Sequence, residues 1–205
     1  MSHDLPQHGI FLHVGCGSKR VDSTPFAGLG WQEIRYDIDP AVEPDLVGSI
    51  TEIALLDNSS VDAVYSSHNL EHLYPHEVCL ALAEFRRVLK PSGFALITCP
   101  DLRSVCALVV ADQLTEPAYA SPAGPITPLD IIYGHRASLQ KGNHYMAHRC
   151  GFTEKVLVGT LQAAGFNQTA SLTRPAAFDL WALATCEVWP QDALHYATAR
   201  LMPIP

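Results

Sequence analysis

The chain has 205 residues, of which 48% are hydrophobic, and its formal net charge is −8 at neutral pH. Its length and apolar fraction suit a single domain over residues 1–205, and no stretch approaches the roughly 18 consecutive apolar residues that a membrane span needs. The negative charge argues against a nucleic-acid partner, because phosphates require a basic face and the sequence contains no run of Lys or Arg.

A glycine turn follows the first predicted strand, which covers residues 10–14. The turn has the sequence Val14-Gly-Cys-Gly-Ser18, and its two glycines let the main chain approach a ligand closely because no Cβ stands in the way. The second predicted strand, near 34–38, carries Asp37 at its tip. A carboxylate there can accept two hydrogen bonds from a ribose diol, so the pair predicts a nucleoside site.

The glycine pattern disfavours a dinucleotide site, as found in a nicotinamide dehydrogenase. Such a site uses G-x-G-x-x-G, whose third glycine packs the helix on the strand, and this chain has Arg20 at that position. The crossover that follows contains Pro25, Gly28 and Gly30, which interrupt any helical pattern. We therefore predict a short turn or an irregular segment where a full helix would normally stand.

Strand-like and helix-like segments alternate along the rest of the chain, which predicts a parallel sheet with helices on its faces. One helix is expected to end at Leu89–Lys90, because the residue before Pro91 is pushed out of the α region. Residues 91–93 then form a turn into a buried strand. The remaining predicted elements are strands near 45–48, 62–66, 94–99, 168–174 and 180–187, and helices near 75–90, 102–113 and 153–165.

A proline-rich segment, residues 115–130, stands apart from this pattern. It contains four prolines with Ala, Ser and Gly, a composition that cannot join a helix or a central strand. It follows the fifth strand, at the edge where open α/β sheets bind ligands. We expect residues 115–150 to form a lid or substrate insert, and the alternative is a mobile surface insert.

Several of these segments resemble the class I S-adenosylmethionine-dependent methyltransferase family, in its small single-domain, type 11-like form. The resemblance covers roughly residues 9–100 and returns around the helix predicted near 153–165. It is carried by the glycine turn, by Ser60-Val-Asp-Ala-Val-Tyr-Ser-Ser67 with the following His-Asn-Leu-Glu-His-Leu73, by Ala83-Glu-Phe-Arg-Arg-Val-Leu-Lys-Pro-Ser-Gly-Phe-Ala-Leu-Ile-Thr98, and by Gly151-Phe-Thr153 and Leu161-Gln-Ala-Ala-Gly-Phe166.

The resemblance implies an α/β fold with a seven-stranded, mostly parallel Rossmann-like sheet and helices on both faces. Its strand order would be 3-2-1-4-5-7-6, with strand 7 antiparallel. The implied cofactor is S-adenosylmethionine, with S-adenosylhomocysteine as product. We expect methyl transfer to a small-molecule acceptor through an oxygen, nitrogen or carbon nucleophile. The alternative is a non-catalytic S-adenosylmethionine-binding accessory protein of the same fold.

The cofactor-binding residues follow from the glycine turn and from the ends of the neighbouring strands. Asp37 is expected to bind the ribose hydroxyls. The family often has an acidic residue near position 49, where this chain has Ser49, and Ile50 is placed to pack on the adenine. The full expected set is Val14, Gly15, Cys16, Gly17, Asp37, Ile38, Ser49, Ile50 and His68.

Three histidines, His68, His72 and His76, recur at four-residue spacing, but we predict no metal at them. Pro75 interrupts a helix that would place all three on one face, and no set of Cys or carboxylate residues completes a tetrahedral site. The resemblance instead puts His68 beside the cofactor and makes His72 a structural position.

The region after the proline-rich segment is rich in imidazole, which suits proton removal from a hydroxyl or an amine near neutral pH. Methyl transfer depends above all on positioning and needs a base only when the nucleophile is protonated. Each candidate also has a simpler interpretation as a hydrogen-bonded loop or capping residue. The candidate bases are His135, His144 and His148, with Asp101 as an alternative, and the candidate substrate-positioning residues are Tyr133, Arg136 and Tyr145.

The six cysteines are scattered without a C-x-x-C pair, which is typical of reduced residues in a cytoplasmic protein. Residues 1–6 have neither the basic nor the apolar region of a signal peptide. In the tail, Leu194, Ala197 and Leu201 lie on one face of a predicted helix. This face either packs on the sheet or forms a partner surface, for example in a homodimer.

Overall fold

The computed structural model describes Leu5 and residues 8–203. In this part of the chain, nine strands form a seven-stranded sheet and a separate two-stranded hairpin. In the seven-stranded sheet lie β1 (Ile10–Val14), β2 (Gln32–Asp37), β3 (Leu46–Val47), β4 (Val61–Ser67), β5 (Leu89–Pro100), β8 (Gln168–Arg174) and β9 (Asp179–Thr185), and in the hairpin lie β6 (Tyr119–Ser121) and β7 (Gly124–Ile126).

The sheet order is β3-β2-β1-β4-β5-β9-β8. Counted within this sheet, the order is 3-2-1-4-5-7-6, as the resemblance implied. The first five strands are parallel, and β9 is antiparallel to both of its neighbours. The carboxyl ends of β1, β2, β3 and β4 therefore meet at one edge, where the chain turns away from the sheet and leaves room for a ligand.

The described residues form six α-helices, three of which pack against the sheet through apolar residues on its two faces. Leu12 and Val14 of β1 point into the core cluster that includes residues of Pro75–Val88 and Glu154–Ala163, whereas Phe11 points into the cluster that includes residues of Gln191–Leu201. The helices are α1 (Pro75–Val88), α2 (Leu102–Val110), α3 (Pro128–Tyr133), α4 (Arg136–Gln140), α5 (Glu154–Ala163) and α6 (Gln191–Leu201).

The predicted turn at residues 91–93 lies within β5, which begins at Leu89, directly after α1. Val61 pairs with Leu89 and Ala63 pairs with Phe94, so five residue steps of β5 lie opposite two of β4. A Cβ on Gly93 would lie 3.0 Å from the carbonyl oxygen of Lys90, so the extra residues fold into a local turn that forms a bulge in the strand.

The proline-rich segment is more ordered than its composition predicts, because it contains the hairpin β6–β7. Pro125 pairs with Ala120 in this two-stranded ribbon, where one missing N–H disrupts little. The segment does not join the central sheet, as expected. The first crossover is a single 3-10 turn, Val21–Ser23, followed by further turns, which confirms the prediction of an irregular segment.

The apolar face of the tail packs on the sheet. Leu194, Ala197 and Leu201 are buried in one cluster with Phe94 and Leu183. All six cysteines are free thiols. Among the described residues, none of the helices has the length and apolar character needed to cross a bilayer.

Candidate functional site

A cavity of about 240 Å³ opens at the carboxyl ends of β1, β2, β3 and β4. We call it the first cavity. Main-chain turns after these strands form its floor, and residues 143–149 form part of its rim. Seven of the expected cofactor-binding residues line it, namely Gly15, Gly17, Asp37, Ile38, Ser49, Ile50 and His68.

The glycine turn holds the carboxylate of Asp37 in the first cavity. The amide of Gly17 donates to Asp37 Oδ2 (2.8 Å), and the amide of Asp39 donates to Asp37 Oδ1 (3.0 Å). Each carboxylate oxygen keeps further acceptor capacity, because an ionised carboxylate offers about four lone-pair sites. The side chain is 8% exposed, so it is fixed in place and still reaches the cavity. This geometry can receive two adjacent hydroxyl groups.

Both glycines of the turn have a positive φ, but only one of them also lies against a neighbouring side chain. Gly15 has a φ of +61°, and a Cβ there would lie 2.5 Å from Cγ of Asn69, so the Asn69 side chain occupies that space. Gly17 has a φ of +52° with open space beside it. Val14 and Cys16 lie behind the turn with their side chains in the core, and burial raises the pKa of the Cys16 thiol to about 11. The Cys16 side chain is therefore protonated at neutral pH.

Two isoleucines and a fixed turn form the opposite end of the first cavity. Ile50 is buried and Ile38 is 46% exposed, and both line the cavity. The hydroxyl of Tyr36 lies 3.1 Å from the carbonyl oxygen of Ser49, which holds the turn after β3. The Ser49 hydroxyl pairs with that of Thr51 (2.7 Å). These apolar walls suit a flat aromatic base.

A second cavity of about 180 Å³ adjoins the first. The two share His68, His72 and Met146 as lining residues. Hairpin residues Tyr119 and Ile126 also line the second cavity, so the proline-rich segment contributes to its wall. Its histidine and acidic lining residues are His68, Glu71, His72, Asp130, His135 and His148.

The hydrogen bonds of two of these histidines fix their tautomers. Nδ1 of His72 donates to the carbonyl of Ala147 (3.1 Å), and Nδ1 of His148 donates to the carbonyl of Ile131 (2.7 Å). Because a carbonyl can only accept, the neutral rings keep their free lone pair on Nε2. Burial is the main cause that lowers the pKa of His148, so its imidazole is neutral at pH 7.

Glu71 lies 1% exposed beside these rings. Burial alone would raise the pKa of Glu71, but the nearby imidazoles, His68 foremost and then His72 and His148 when protonated, together outweigh it and lower the pKa. Nδ1 of His68 is 3.4 Å from Glu71 Oε1. His68 itself has a φ of +49°, an uncommon conformation for a residue with a side chain.

The candidate bases occupy different places. His148 and His135 line the second cavity, and Nδ1 of His135 is 2.8 Å from the Ser138 hydroxyl. His144 is exposed and lies outside both cavities. Asp101 caps α2, where its carboxylate accepts from the amides of Arg103 and Ser104 and from the Ser104 hydroxyl. Its geometry is that of a helix cap.

The candidate substrate-positioning residues also separate. Tyr145 lines the first cavity rather than the second. Tyr133 is exposed at the end of α3, outside both cavities. The Arg136 guanidinium pairs with Asp130 (Nε to Oδ1, 2.7 Å), and this pairing is the main cause that lowers the pKa of Asp130. Asp130, not Arg136, reaches the second cavity.

Asn69 and Glu71 are among the site residues that were not predicted from the sequence, together with Met146, Tyr119, Ile126 and Asp130. Asn69 lines the first cavity against Gly15, and its buried Nδ2 has no hydrogen-bond partner within the described part of the chain. Asn69 and Glu71 belong to the polar run His-Asn-Leu-Glu-His that directly follows β4. Polar residues at the carboxyl end of a central strand were the available signal.

Residues 12–97 match the family described as "Methyltransferase domain". The fold is similar to that of a protein from Pyrococcus horikoshii, at 15% identity and a TM-score of 0.59, over 87% of this chain and 82% of that chain. It is also similar to a S-adenosylmethionine-dependent methyltransferase from Methanosarcina mazei, at 18% identity and a TM-score of 0.57, over 88% and 92% of the two chains.

A third similar structure is the 1,6-didemethyltoxoflavin-N1-methyltransferase of Burkholderia thailandensis, crystallised with 1,6-didemethyltoxoflavin and S-adenosylhomocysteine. The identity is 19% and the TM-score is 0.52, over 86% of this chain and 69% of that chain. No curated protein matches the chain in sequence. At these identities the likeness to solved structures concerns the fold.

Proposed function

We propose that this chain is a class I S-adenosylmethionine-dependent methyltransferase and that it methylates a small molecule held in the second cavity. The observation that carries the proposal is the contact between the two cavities, which share His68, His72 and Met146. One cavity offers a fixed carboxylate to a nucleoside, and the other offers neutral imidazole to a nucleophile. A methyl group at the boundary would be within reach of both.

The first cavity fits S-adenosylmethionine by the chemistry of its donors and acceptors. The Asp37 carboxylate would accept hydrogen bonds from the two ribose hydroxyls, and Ile38 and Ile50 would enclose the adenine. The unpartnered amide of Asn69 would donate to the cofactor near Gly15. When bound, the cofactor supplies a methyl group on a positively charged sulfur.

The second cavity would position the acceptor and take up its proton. Nε2 of His148 is free and neutral, and the side chain is half-buried, which suits a general base for a hydroxyl or an amine. The acceptor's nucleophilic atom would lose its proton to Nε2 and form a bond to the methyl carbon, with S-adenosylhomocysteine as the second product. Tyr119 and Ile126 of the hairpin would exclude water and limit the acceptor to a small molecule.

The test is turnover with a panel of phenols, amines and hydroxy acids, measured as S-adenosylhomocysteine released. We expect at least one acceptor class to be methylated, with kcat reduced by about two orders of magnitude in His148→Ala. The control is His76→Ala, because His76 is exposed on α1 and lies outside both cavities.

Cofactor binding without turnover on any acceptor would refute the proposal and favour the accessory role. Equal kcat in His148→Ala and His76→Ala would remove His148 from the reaction.

A further inference from the structure

Three side chains with metal-binding atoms converge on the second cavity. One ligand atom from each of Glu71, His72 and His148 lies within 4.8 Å of the others. The first two follow β4, and the third comes from a segment far along the chain. Main-chain bonds join these segments, because the amides of Arg149 and Cys150 donate to the carbonyl of Glu71 (2.8 and 3.2 Å). The cluster is thus held by the fold itself.

Both imidazoles are oriented as metal-binding histidines usually are. Each ring uses Nδ1 to donate to a main-chain carbonyl, Ala147 for His72 and Ile131 for His148. Such outer bonds fix the ring and leave Nε2 as the metal-binding atom. The ring centres are 4.8 Å apart at an interplanar angle of 69°, so the rings meet edge to face rather than stacking.

The carboxylate of Glu71 lacks the partners that a buried charge requires. The side chain is 1% exposed, and neither oxygen accepts a hydrogen bond from the described residues. His68 Nδ1 approaches Oε1 at 3.4 Å, and the His68 side chain is 49% exposed. That neighbour leaves Oε2 without any partner in the described structure. A buried carboxylate without partners is costly, so it points to a cation at this position.

We propose that Glu71, His72 and His148 bind one divalent transition-metal ion of the zinc class. Two imidazole nitrogens and one carboxylate oxygen favour such an ion, whereas magnesium and calcium prefer oxygen ligands alone. Three protein ligands leave at least one coordination position, and it faces the second cavity, which all three residues line. The site is open, as catalytic metal sites are.

The open position would take an oxygen or nitrogen atom of the acceptor, and this step alone rests on the proposed function. A bound metal lowers the pKa of a coordinated hydroxyl. With the metal bound, His148 would serve as a ligand and the coordinated hydroxyl would release its proton to solvent, whereas Nε2 of His148 would be the proton acceptor only in the metal-free site. The acceptor class is a small molecule whose nucleophilic hydroxyl or a neighbouring group can coordinate a metal ion.

The test is metal content after chelator treatment, measured by mass spectrometry on protein whose affinity tag has been removed. After incubation with zinc and desalting, we expect about one zinc per chain. His148→Ala and Glu71→Gln should bind zinc at least about tenfold more weakly, since even an outer partner of a ligand is worth that much. His76→Ala should bind like the wild type. The proposed site would be overturned if the wild type retained no zinc, or if His148→Ala and His76→Ala bound zinc equally well.

X-ray absorption on the zinc-loaded wild type keeps the proposal testable if a variant fails to fold. We expect nitrogen and oxygen neighbours with the outer scattering of imidazole, and sulfur neighbours would overturn the assignment. Calorimetry with S-adenosylmethionine separates the two proposals. Cofactor binding without zinc binding removes only the metal site, and zinc binding without turnover on any acceptor removes only the proposed function.

Discussion

Gly15 is constrained both by its main-chain conformation and by the Asn69 side chain beside it in the first cavity. Its positive φ and its contact with Asn69 act together, because any side chain would push the Asn69 amide away from the turn. Nδ2 of this amide has no hydrogen-bond partner in the described residues. The glycine therefore serves both the turn and the cofactor cavity.

We expect Gly15→Ala to lose more cofactor affinity than Gly28→Ala. Both positions have a positive φ, so each substitution should cost about 1–2 kcal/mol of stability. Only the new Cβ at position 15 meets a side chain, because the space at Gly28 is open. Calorimetry with S-adenosylmethionine and urea unfolding check this pair. Equal losses of affinity would show that the Asn69 contact does not matter.

Helix α3 illustrates how an element is fixed beside the site. Its N-cap, Thr127, accepts from the Asp130 amide, and Asp130 Oδ2 accepts from the Thr127 amide (3.0 Å) and hydroxyl (2.7 Å). Arg136 adds a bidentate pair to the same carboxylate. This arrangement positions the carbonyl of Ile131, to which His148 donates.

Asp130→Asn should therefore show a pH-dependent loss of stability. The folded-state pKa of Asp130 is lowered, so its stabilisation is present above the unfolded-state pKa and disappears as the pH falls through the folded-state pKa. The free energy of unfolding should differ most between wild type and variant at pH 7, and the difference should shrink below about pH 4. Urea unfolding at several pH values measures it. If the difference in the free energy of unfolding did not change with pH, the lowered pKa of Asp130 would be contradicted.

The hairpin β6–β7 should matter for turnover and not for cofactor binding. Tyr119 and Ile126 line the second cavity and are absent from the first. Replacing residues 119–126 with a short Gly-Ser linker should leave the Kd for S-adenosylmethionine unchanged and strongly reduce kcat. Thermal unfolding is the control, because Ile126 also packs against Val105 and Ile131. Normal turnover in this variant would exclude a lid role.

At the scale of the whole molecule, the features that could be predicted from sequence are those determined by residues close together along the chain. The glycine turn follows β1 and Asp37 ends β2, so their meeting at the sheet edge follows from parallel pairing. The hairpin was not predicted, because prolines argue against a central strand, although a two-stranded ribbon tolerates them. The cluster of Glu71, His72 and His148 depends on a long-range contact between two loops. No local pattern contains that contact, and the prediction against a metal considered His68, His72 and His76 and found no Cys or carboxylate set to complete a site.

The central claim is that the first cavity binds S-adenosylmethionine through Asp37. Titration calorimetry with wild type and Asp37→Asn tests it most directly, because asparagine keeps the shape and removes the charge. We predict one binding site per wild-type chain and an affinity at least about tenfold lower in the variant, since a hydrogen bond to a charged group contributes about 1.5–3 kcal/mol. A wild-type chain that binds no S-adenosylmethionine, or a variant that binds it equally well, would contradict the account.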